Sequence, residues 1–263
     1  MAYREKIYPL GDSIEHELCY AGKYGSKGEK RAPKKKATPE QIKKQNLWIK
    51  TNYLRRLIIL NFIAYDFFCT LKYPRGTRKP IEEVQNDVKK FIDRLRSPYK
   101  RAGVPLKYIY RIEIGKRGGI HIHIILKRLP DGGDKLIQEK WFLGRVNFTN
   151  LYDTGGYADL AEYMAKEPPE EMEGQLSLFS EAEKKKLVSY VPSRNLDKPI
   201  PEIKEYGHWT MRKILNNAGE IKPTEGFCVD KNSIRQGINP YTGYSYLYYS
   251  EYRLGKAPWE DTS

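Results

Sequence analysis

The stretch EIGKRGGIHIHIIL, residues 113–126, decides how the rest of the chain is interpreted. Successive side chains of a β-strand point to opposite faces of a sheet, so His121 and His123 are expected to share one face. The isoleucines that alternate with them share the other face. Two neighbouring imidazoles over an apolar underside suit the binding of a divalent metal ion. The alternative is a half-buried strand whose exposed face carries histidine by chance.

Glu113 belongs to an earlier apolar run, residues 107–114, which a turn at residues 116–119 separates from the histidine strand. Paired glycines in that turn tolerate positive φ angles, so the sequence predicts a β-hairpin. Such a hairpin brings Glu113 across from the two histidines. The expected result is a two-histidine, one-carboxylate set with open positions for a substrate phosphate.

Composition points to a polyanionic partner. The chain has 263 residues, a formal net charge of +14 and a pI near 9.4. Nucleic acid is the first candidate partner, ahead of an anionic membrane surface. The apolar stretch at residues 57–71 is too short and too polar to cross a bilayer, and no membrane partner is expected. Three widely spaced cysteines and no visible secretory pattern predict a cytoplasmic location.

The first fifty residues are predicted to be a basic N-terminal arm with the start of a helix. Residues 23–36 are rich in Lys, Gly and Pro, and they contain too few aliphatic side chains to fold alone. Lys34, Lys35 and Lys36 are therefore candidate DNA-binding residues. A solvated linker is the alternative that the composition leaves open.

The periodicity of the following region predicts an α+β domain over residues 51–215. The sequence Thr-Pro-Glu-Gln at residues 38–41 is typical of a helix start. Apolar side chains over residues 80–96 repeat with the helical period. The predicted helices lie at 38–60, 80–96, 134–141 and 155–166, and the predicted strands at 66–73, 107–114, 120–127 and 144–148. This order favours a central antiparallel sheet of about five strands flanked by helices.

The helix at residues 155–166 carries a second chemical element. Tyr163 and Lys166 are three residues apart and therefore lie on nearly the same helical face. A phenol has a reference pKa of about 10 and needs help to act as a nucleophile. Taken alone, a Tyr-Lys pair is more often a surface pair. Tyr157 lies six residues before Tyr163 and points elsewhere on the helix.

Two further segments have open interpretations. The acidic segment at residues 167–186 is either an excursion over the site or a solvated insertion. Residues 216–263 are expected to form a tyrosine-rich extension of uncertain packing. Its tyrosines either stack on bases or belong to an exposed antiparallel strand, and the strand is the preferred interpretation.

The combination of His-apolar-His on a strand, an upstream Glu and a helical Tyr with Lys three residues later resembles the HUH endonucleases. It is similar in particular to the single-tyrosine rolling-circle replication initiators of bacterial plasmids and phages. Residues 66–74, DFFCTLKYP, resemble the first motif of that family, with Lys72 in place of a Thr. Residues 61–62 and 193–199 also resemble bacterial members. The resemblance covers approximately residues 38–200.

This resemblance implies a site-specific, metal-dependent endonuclease and strand transferase acting on single-stranded DNA. Glu113, His121 and His123 would hold one Mn²⁺ or Mg²⁺ ion, which acts as a Lewis acid on the scissile phosphate. Tyr163 would attack that phosphate, leaving a 5′-phosphotyrosine and a free 3′-hydroxyl that primes replication. Lys166 would stabilise the phenolate or the developing charge.

The implied partners are single-stranded DNA or the nicked strand of an origin hairpin, together with a host helicase and replication machinery. Lys116 and Arg117 in the predicted turn are further DNA-binding candidates. The sequence contains no phosphate-binding Gly-Lys-Ser/Thr loop, so a separate helicase is expected. A relaxase or transposase of the same superfamily is one alternative. A non-catalytic basic nucleic-acid-binding protein, whose histidines merely occupy a strand face, is the other.

Overall fold

The computed structural model describes residues 2–22, 31–115, 119–151, 157–166, 190–217 and 220–255. Within these ranges the strands are β1 (Tyr3–Pro9), β2 (Ser13–Tyr20), β3 (Phe67–Lys72), β4 (Tyr108–Ile114), β5 (Ile120–Leu126), β6 (Arg145–Asn150), β7 (Val191–Pro192), β8 (Glu202–Tyr206), β9 (Phe227–Val229), β10 (Arg235–Ile238) and β11 (Ser245–Arg253). The helices are α1 (Pro39–Asn61), α2 (Ile81–Arg101), α3 (Asp134–Lys140), α4 (Ala158–Ala165) and α5 (His208–Asn216), with a short 3₁₀ helix at Lys231–Ser233. The fold is α+β with antiparallel sheets, as the sequence predicts.

The chain divides into two compact units. The central unit comprises Leu47–Asp197, and the terminal unit combines Met1–Asn46 with Lys198–Ser263. These boundaries differ from the expected division into 1–50, 51–215 and 216–263. Both ends of the chain contribute strands to one sheet of the terminal unit.

The central unit contains a five-stranded antiparallel sheet in the order β6-β3-β5-β4-β7. Each strand and helix predicted between residues 66 and 166 has a counterpart in the structure. Strand β5 lies at the centre of the sheet, and Ile122, Ile124 and Ile125 on it are fully buried. A central strand of this kind is held on both sides, which fixes the direction of its side chains.

The two faces of this sheet are covered by different helices. On one face, Phe91 and Leu95 of α2 share a buried cluster with Leu71, Ile112 and Ile122. On the other face, the C-terminal half of α1 and the whole of α4 pack over Ile109 and Ile125. The histidine positions of β5 belong to this second face, because they alternate with the buried isoleucines.

Helix α1 begins where the sequence predicts. The backbone N–H of Thr38 donates to Gln41 Oε1 at 3.0 Å, and the N–H of Gln41 donates to Thr38 Oγ1 at 3.3 Å. This reciprocal pair is a capping box, which satisfies amide groups that have no partner inside the helix. Helix α2 extends beyond its predicted end through Pro98, and Tyr99 in its last turn is buried.

The terminal unit corrects the prediction of an N-terminal arm. Strands β1 and β2 pair with each other, β8 pairs with β1, and β11 pairs with β2. The sequence did not reveal these strands because their buried positions include the charged residues Glu5, Glu15 and His16. Charged residues at core positions interrupt the hydrophobic alternation by which a strand is recognised.

The C-terminal residues belong to the same sheet. The preferred interpretation of the tyrosine-rich tail as an antiparallel strand is confirmed, since β11 pairs with β2, β9 and β10. Tyr249 on β11 stacks on His16, with ring centroids 4.2 Å apart. The tail is thus an integral part of the terminal unit.

Among the described helices, none combines the length and the apolar character that crossing a membrane requires.

Candidate active site

The register of the β4-β5 hairpin brings the predicted acidic and imidazole residues to one face of the central sheet. Glu113 pairs with His121, and Arg111 pairs with His123. Side chains two residues apart on a strand share a face, so Glu113, His121 and His123 all project from the side that α4 covers. The predicted hairpin pairing is confirmed. Lys116 and Arg117 of its turn lie outside the described residues.

Helix α4 delivers Tyr163 to this group. The Tyr163 hydroxyl donates a hydrogen bond to Glu113 Oε2 at 2.7 Å. It also lies 2.9 Å from His123 Nε2. Tyr163 keeps 41% of its surface exposed, so the hydroxyl group is anchored while the ring stays accessible. Glu113, His123 and Tyr163, predicted from separate patterns, thus form one contact group.

The His123 ring is held from three sides. Its Nδ1 lies 3.3 Å from Thr70 Oγ1, and its Nε2 lies 2.9 Å from Glu113 Oε2. Phe68 stacks beside it with ring centroids 5.8 Å apart and makes an edge contact with Tyr163 at 6.4 Å. Both Thr70 and Phe68 come from β3, the strand that pairs with β5 on the side away from β4. A ring fixed by packing and hydrogen bonds is pre-oriented for chemistry.

The electrostatics of the group favour an ionised Glu113 and a protonated Tyr163. The hydrogen bond with His123 is the main cause that lowers the pKa of Glu113 to about 2. Burial, followed by the hydrogen bond to Glu113, raises the pKa of Tyr163 above its ordinary value. Burial also lowers the pKa of His121, with a further contribution from the charge of Lys72. A phenol in this state needs added positive charge before it can lose its proton.

Arg111 is a site residue that the sequence analysis missed. It is 5% exposed beneath the site, and its Nη1 donates to the backbone carbonyl of Tyr163 at 2.8 Å. Burial lowers its pKa, while the charge of Glu113 acts in the opposite direction. The available signal was the alternation of β4, which places Arg111 on the same face as Glu113.

The donor set suits a divalent ion in type and in strand register. Two imidazoles and one carboxylate are ligands of Mn²⁺ and later transition metals, whereas Mg²⁺ prefers oxygen alone. Two of the donors, Glu113 and His123, are in direct contact. The His121 ring lies at right angles to that of His123, with centroids 6.3 Å apart. In the described part of the chain, no three His, Cys, Asp or Glu side chains lie close enough together to hold an ion. A three-ligand site therefore requires the His121 side chain to turn.

The remaining candidates occupy other positions. Lys166 follows the last residue of α4 with extended backbone angles and is exposed. None of the described contacts of the Tyr163 hydroxyl involves it. Tyr157 is 5% exposed and packs in the core beneath α4, which excludes it from the accessible surface. Lys34, Lys35 and Lys36 are exposed and belong to the terminal unit.

Comparison with known proteins gives one family match. Residues 66–168 match the model of a family described as replication-associated protein, of the ORF2 type. The matched region contains β3–β6 and α2–α4, and with them Glu113, His121, His123, Tyr163 and Lys166. The match supports a replication-associated function. Comparisons with curated proteins and with solved structures returned no significant match.

Proposed function

We propose that this chain is a rolling-circle replication initiator of the HUH type, which nicks single-stranded DNA and rejoins it. The observation that carries the proposal is the contact of the Tyr163 hydroxyl with Glu113 and His123. This contact group lies inside the region that matches a replication-associated family. A phenol held in this way is a candidate nucleophile, and the basic chain offers a polyanionic strand many favourable contacts.

In the proposed reaction the Tyr163 oxygen attacks the scissile phosphorus. The bond between phosphorus and the 3′-oxygen breaks, which leaves a 5′-phosphotyrosine and a 3′-hydroxyl. Tyr163 loses one proton and the departing 3′-oxygen gains one, so the step balances without another reactant. His123 Nε2 and Glu113 Oε2 are the groups placed to take up the phenol proton.

Covalent storage of the phosphodiester makes the reaction reversible. A 3′-hydroxyl that re-enters the site attacks the phosphotyrosine and restores the strand, whereas simple hydrolysis would not allow joining. Arg111 keeps the Tyr163 backbone in place through both steps, because it binds the carbonyl of that residue. Lys166 is proposed to reach the phosphate when DNA is bound, since its side chain is exposed at the end of α4.

The metal is part of the same proposal. Glu113, His121 and His123 would hold one Mn²⁺ or Mg²⁺ ion. A bound ion supplies Lewis-acid stabilisation of the phosphate and the positive charge that the raised pKa of Tyr163 calls for. The proposed partners are single-stranded DNA or the nicked strand of an origin hairpin, with a host helicase to separate the strands.

The deciding experiment incubates labelled single-stranded DNA from the origin of the encoding element with the protein and Mn²⁺. A denaturing gel of the wild type should show a protein-linked band that EDTA abolishes. Tyr163→Phe should lack this band, while Tyr157→Phe should keep it because Tyr157 lies in the core. Loss of the adduct in Tyr157→Phe but not in Tyr163→Phe would overturn the assignment of the nucleophile.

The two alternatives give different results in the same assay. A non-catalytic DNA-binding protein would retard oligonucleotides with a steep salt dependence and would never form an adduct. A relaxase or transposase would form the adduct but would select DNA other than a replication origin. Cleavage without an adduct would point to hydrolysis by an activated water.

A further inference from the structure

Strand β4 serves both faces of the central sheet. Arg111 and Glu113 project towards the candidate active site, so the alternating residues Tyr108 and Tyr110 project towards the face that α2 covers. Their rings lie side by side, with centroids 6.2 Å apart and planes inclined at 31°. Both rings are only partly buried. They offer two aromatic surfaces on the face away from Tyr163.

These rings form the floor of an open groove of about 830 Å³ between α2 and the segment at residues 191–195. Three cations line it, namely Lys89 and Arg96 from α2 and Arg194 from the opposite wall. Its one carboxylate, Asp93, pairs with Arg96 at 2.9 Å. Both side chains of this pair are more than half exposed, so the pair is weak and Arg96 can exchange it for a phosphate.

The opposite wall of the groove is anchored to β4. The backbone N–H of Ser193 donates to the carbonyl of Tyr108 at 2.8 Å, and the N–H of Tyr108 donates to Ser193 Oγ at 3.1 Å. The side chain of Asn195 donates to the carbonyl of Leu106 at 3.2 Å. Strand β7 continues this attachment by pairing with β4. A groove built in advance costs little conformational entropy when a ligand enters.

We propose that this groove binds single-stranded DNA at a position separate from the face that carries Tyr163. Unstacked bases would lie on Tyr108 and Tyr110, and phosphates would contact Lys89, Arg96 and Arg194. Amide side chains from α2, Gln85 and Asn86, also line the groove and can hydrogen-bond to base edges. The proposal rests on the proposed DNA substrate and adds an anchoring site to it.

The shape of the groove favours a single strand over a duplex. A volume of about 830 Å³ is in the range of clefts that hold small ligands, so it accommodates a few nucleotides and not a double helix. Bases in a duplex are stacked on one another and present only their edges. They cannot lie flat on a pair of tyrosine rings, whereas the bases of a single strand can.

The test uses the full chain carrying Tyr163→Phe, so that binding is measured without covalent capture. The probe is an oligothymidylate of about 16 nucleotides with one iododeoxyuridine and a fluorescent label. Irradiation should cross-link it to the β4 peptide that contains Tyr108 and Tyr110. Tyr108→Leu combined with Tyr110→Leu should weaken binding about 10-fold or more, and the matched pair of phenylalanine substitutions should retain it.

The cations provide a second measurement that does not disturb the core. Lys89 and Lys90 are adjacent exposed residues of α2, and only Lys89 lines the groove. Lys89→Ala should weaken binding and reduce the salt slope by about one, while Lys90→Ala should leave both near the wild-type values. In the background with Tyr163 intact, Lys89→Ala and Arg194→Ala should raise KM for nicking and leave kcat unchanged.

Unchanged affinity in Lys89→Ala, Arg194→Ala and the leucine pair would overturn this inference. Equal competition by duplex DNA, or cross-links confined to other peptides, would also overturn it. The proposed function would still stand in these cases if the wild type forms the Tyr163 adduct. Absence of both the adduct and any single-strand binding would remove the proposed function, and the inference would fall with it.

Discussion

At the scale of single residues, the state of Tyr163 determines what the site can do. Its hydroxyl contacts an ionised carboxylate at 2.7 Å, and burial and that carboxylate together raise its pKa. The free protein therefore holds the phenol protonated, in a fixed position beside His123. This arrangement suits a nucleophile that reacts only when the positive charge of a metal or of a lysine is added.

Arg111 is predicted to be a positioning residue for Tyr163. Arg111→Lys retains a positive charge but cannot reproduce the same guanidinium geometry against the Tyr163 carbonyl. We expect kcat for adduct formation to fall about 10- to 100-fold, as when groups that orient catalytic residues are lost. Affinity for single-stranded DNA, measured by fluorescence anisotropy, should remain within about 2-fold of the wild type. A parallel loss of affinity and of thermal stability would instead indicate a purely structural role.

His121 is predicted to complete the metal site. His121→Ala should weaken Mn²⁺ binding at least about 10-fold, because one of three protein ligands is removed. Electron paramagnetic resonance of free Mn²⁺ measures this without any DNA. His208→Ala, in the terminal unit, is the matched control and should bind Mn²⁺ like the wild type. Equal affinity in wild type and His121→Ala would exclude His121 as a ligand.

At the scale of secondary-structure elements, β4 and the end of α1 organise the central unit. Asn61 is 3% exposed, and its side chain amide donates to the carbonyls of Leu57 and Asp197. Its Oδ1 accepts from the backbone N–H of Asp197 and from Lys107 Nζ, both at 2.8 Å. One side chain thus ties α1 to the segment that follows β7.

Removal of this polar junction should destabilise the central unit. Asn61→Ala leaves several buried donors and acceptors without partners, and we expect a loss of about 2–4 kcal/mol in the free energy of unfolding. Asn52→Ala is the control on the same helix, because Asn52 also donates to a carbonyl four residues earlier but near the surface. Its effect should stay below about 1 kcal/mol. Urea denaturation measures both, and equal effects would contradict the assigned role of Asn61.

At the scale of the whole molecule, the net charge of +14 is combined with buried charge in the terminal unit. His16 Nδ1 lies 2.8 Å from Glu5 Oε1, and Tyr206 donates to Glu5 Oε2 at 2.6 Å. Glu251 lies 3.6 Å from the other ring nitrogen of His16. These groups come from both ends of the chain, so the cluster links the N-terminal hairpin to the C-terminal strand.

This cluster predicts an acid-sensitive terminal unit. Burial tends to raise the pKa of Glu5, but hydrogen bonds from His16 and Tyr206 outweigh it and lower the pKa below the ordinary value of 4.5. A group whose pKa is lower in the folded state stabilises the fold above its unfolded pKa and loses that contribution as pH falls through the folded pKa. Glu5→Gln should therefore destabilise the protein at about pH 7 and much less at about pH 3. Hydrogen exchange of the β1 and β2 amides measures the difference, and a loss independent of pH would contradict the prediction.

The sequence alone determined the elements of the central unit and the composition of its site. Alternation with period two and helical periodicity are local properties, so the strands and helices between residues 66 and 166 could be predicted from them. The hairpin turn lies next to the strands that it joins. The register of Glu113 against His121 and His123 could therefore be inferred from a short stretch.

The tertiary structure decided what depends on residues distant in the chain. Arg111, Thr70 and Phe68 became site residues only once β3, β4 and α4 packed around His123. The terminal sheet pairs strands from the two ends of the chain, and it buries charged residues where a sequence pattern requires apolar ones. Such charges are tolerated because distant partners neutralise them, and local periodicity carries no record of partners so far apart.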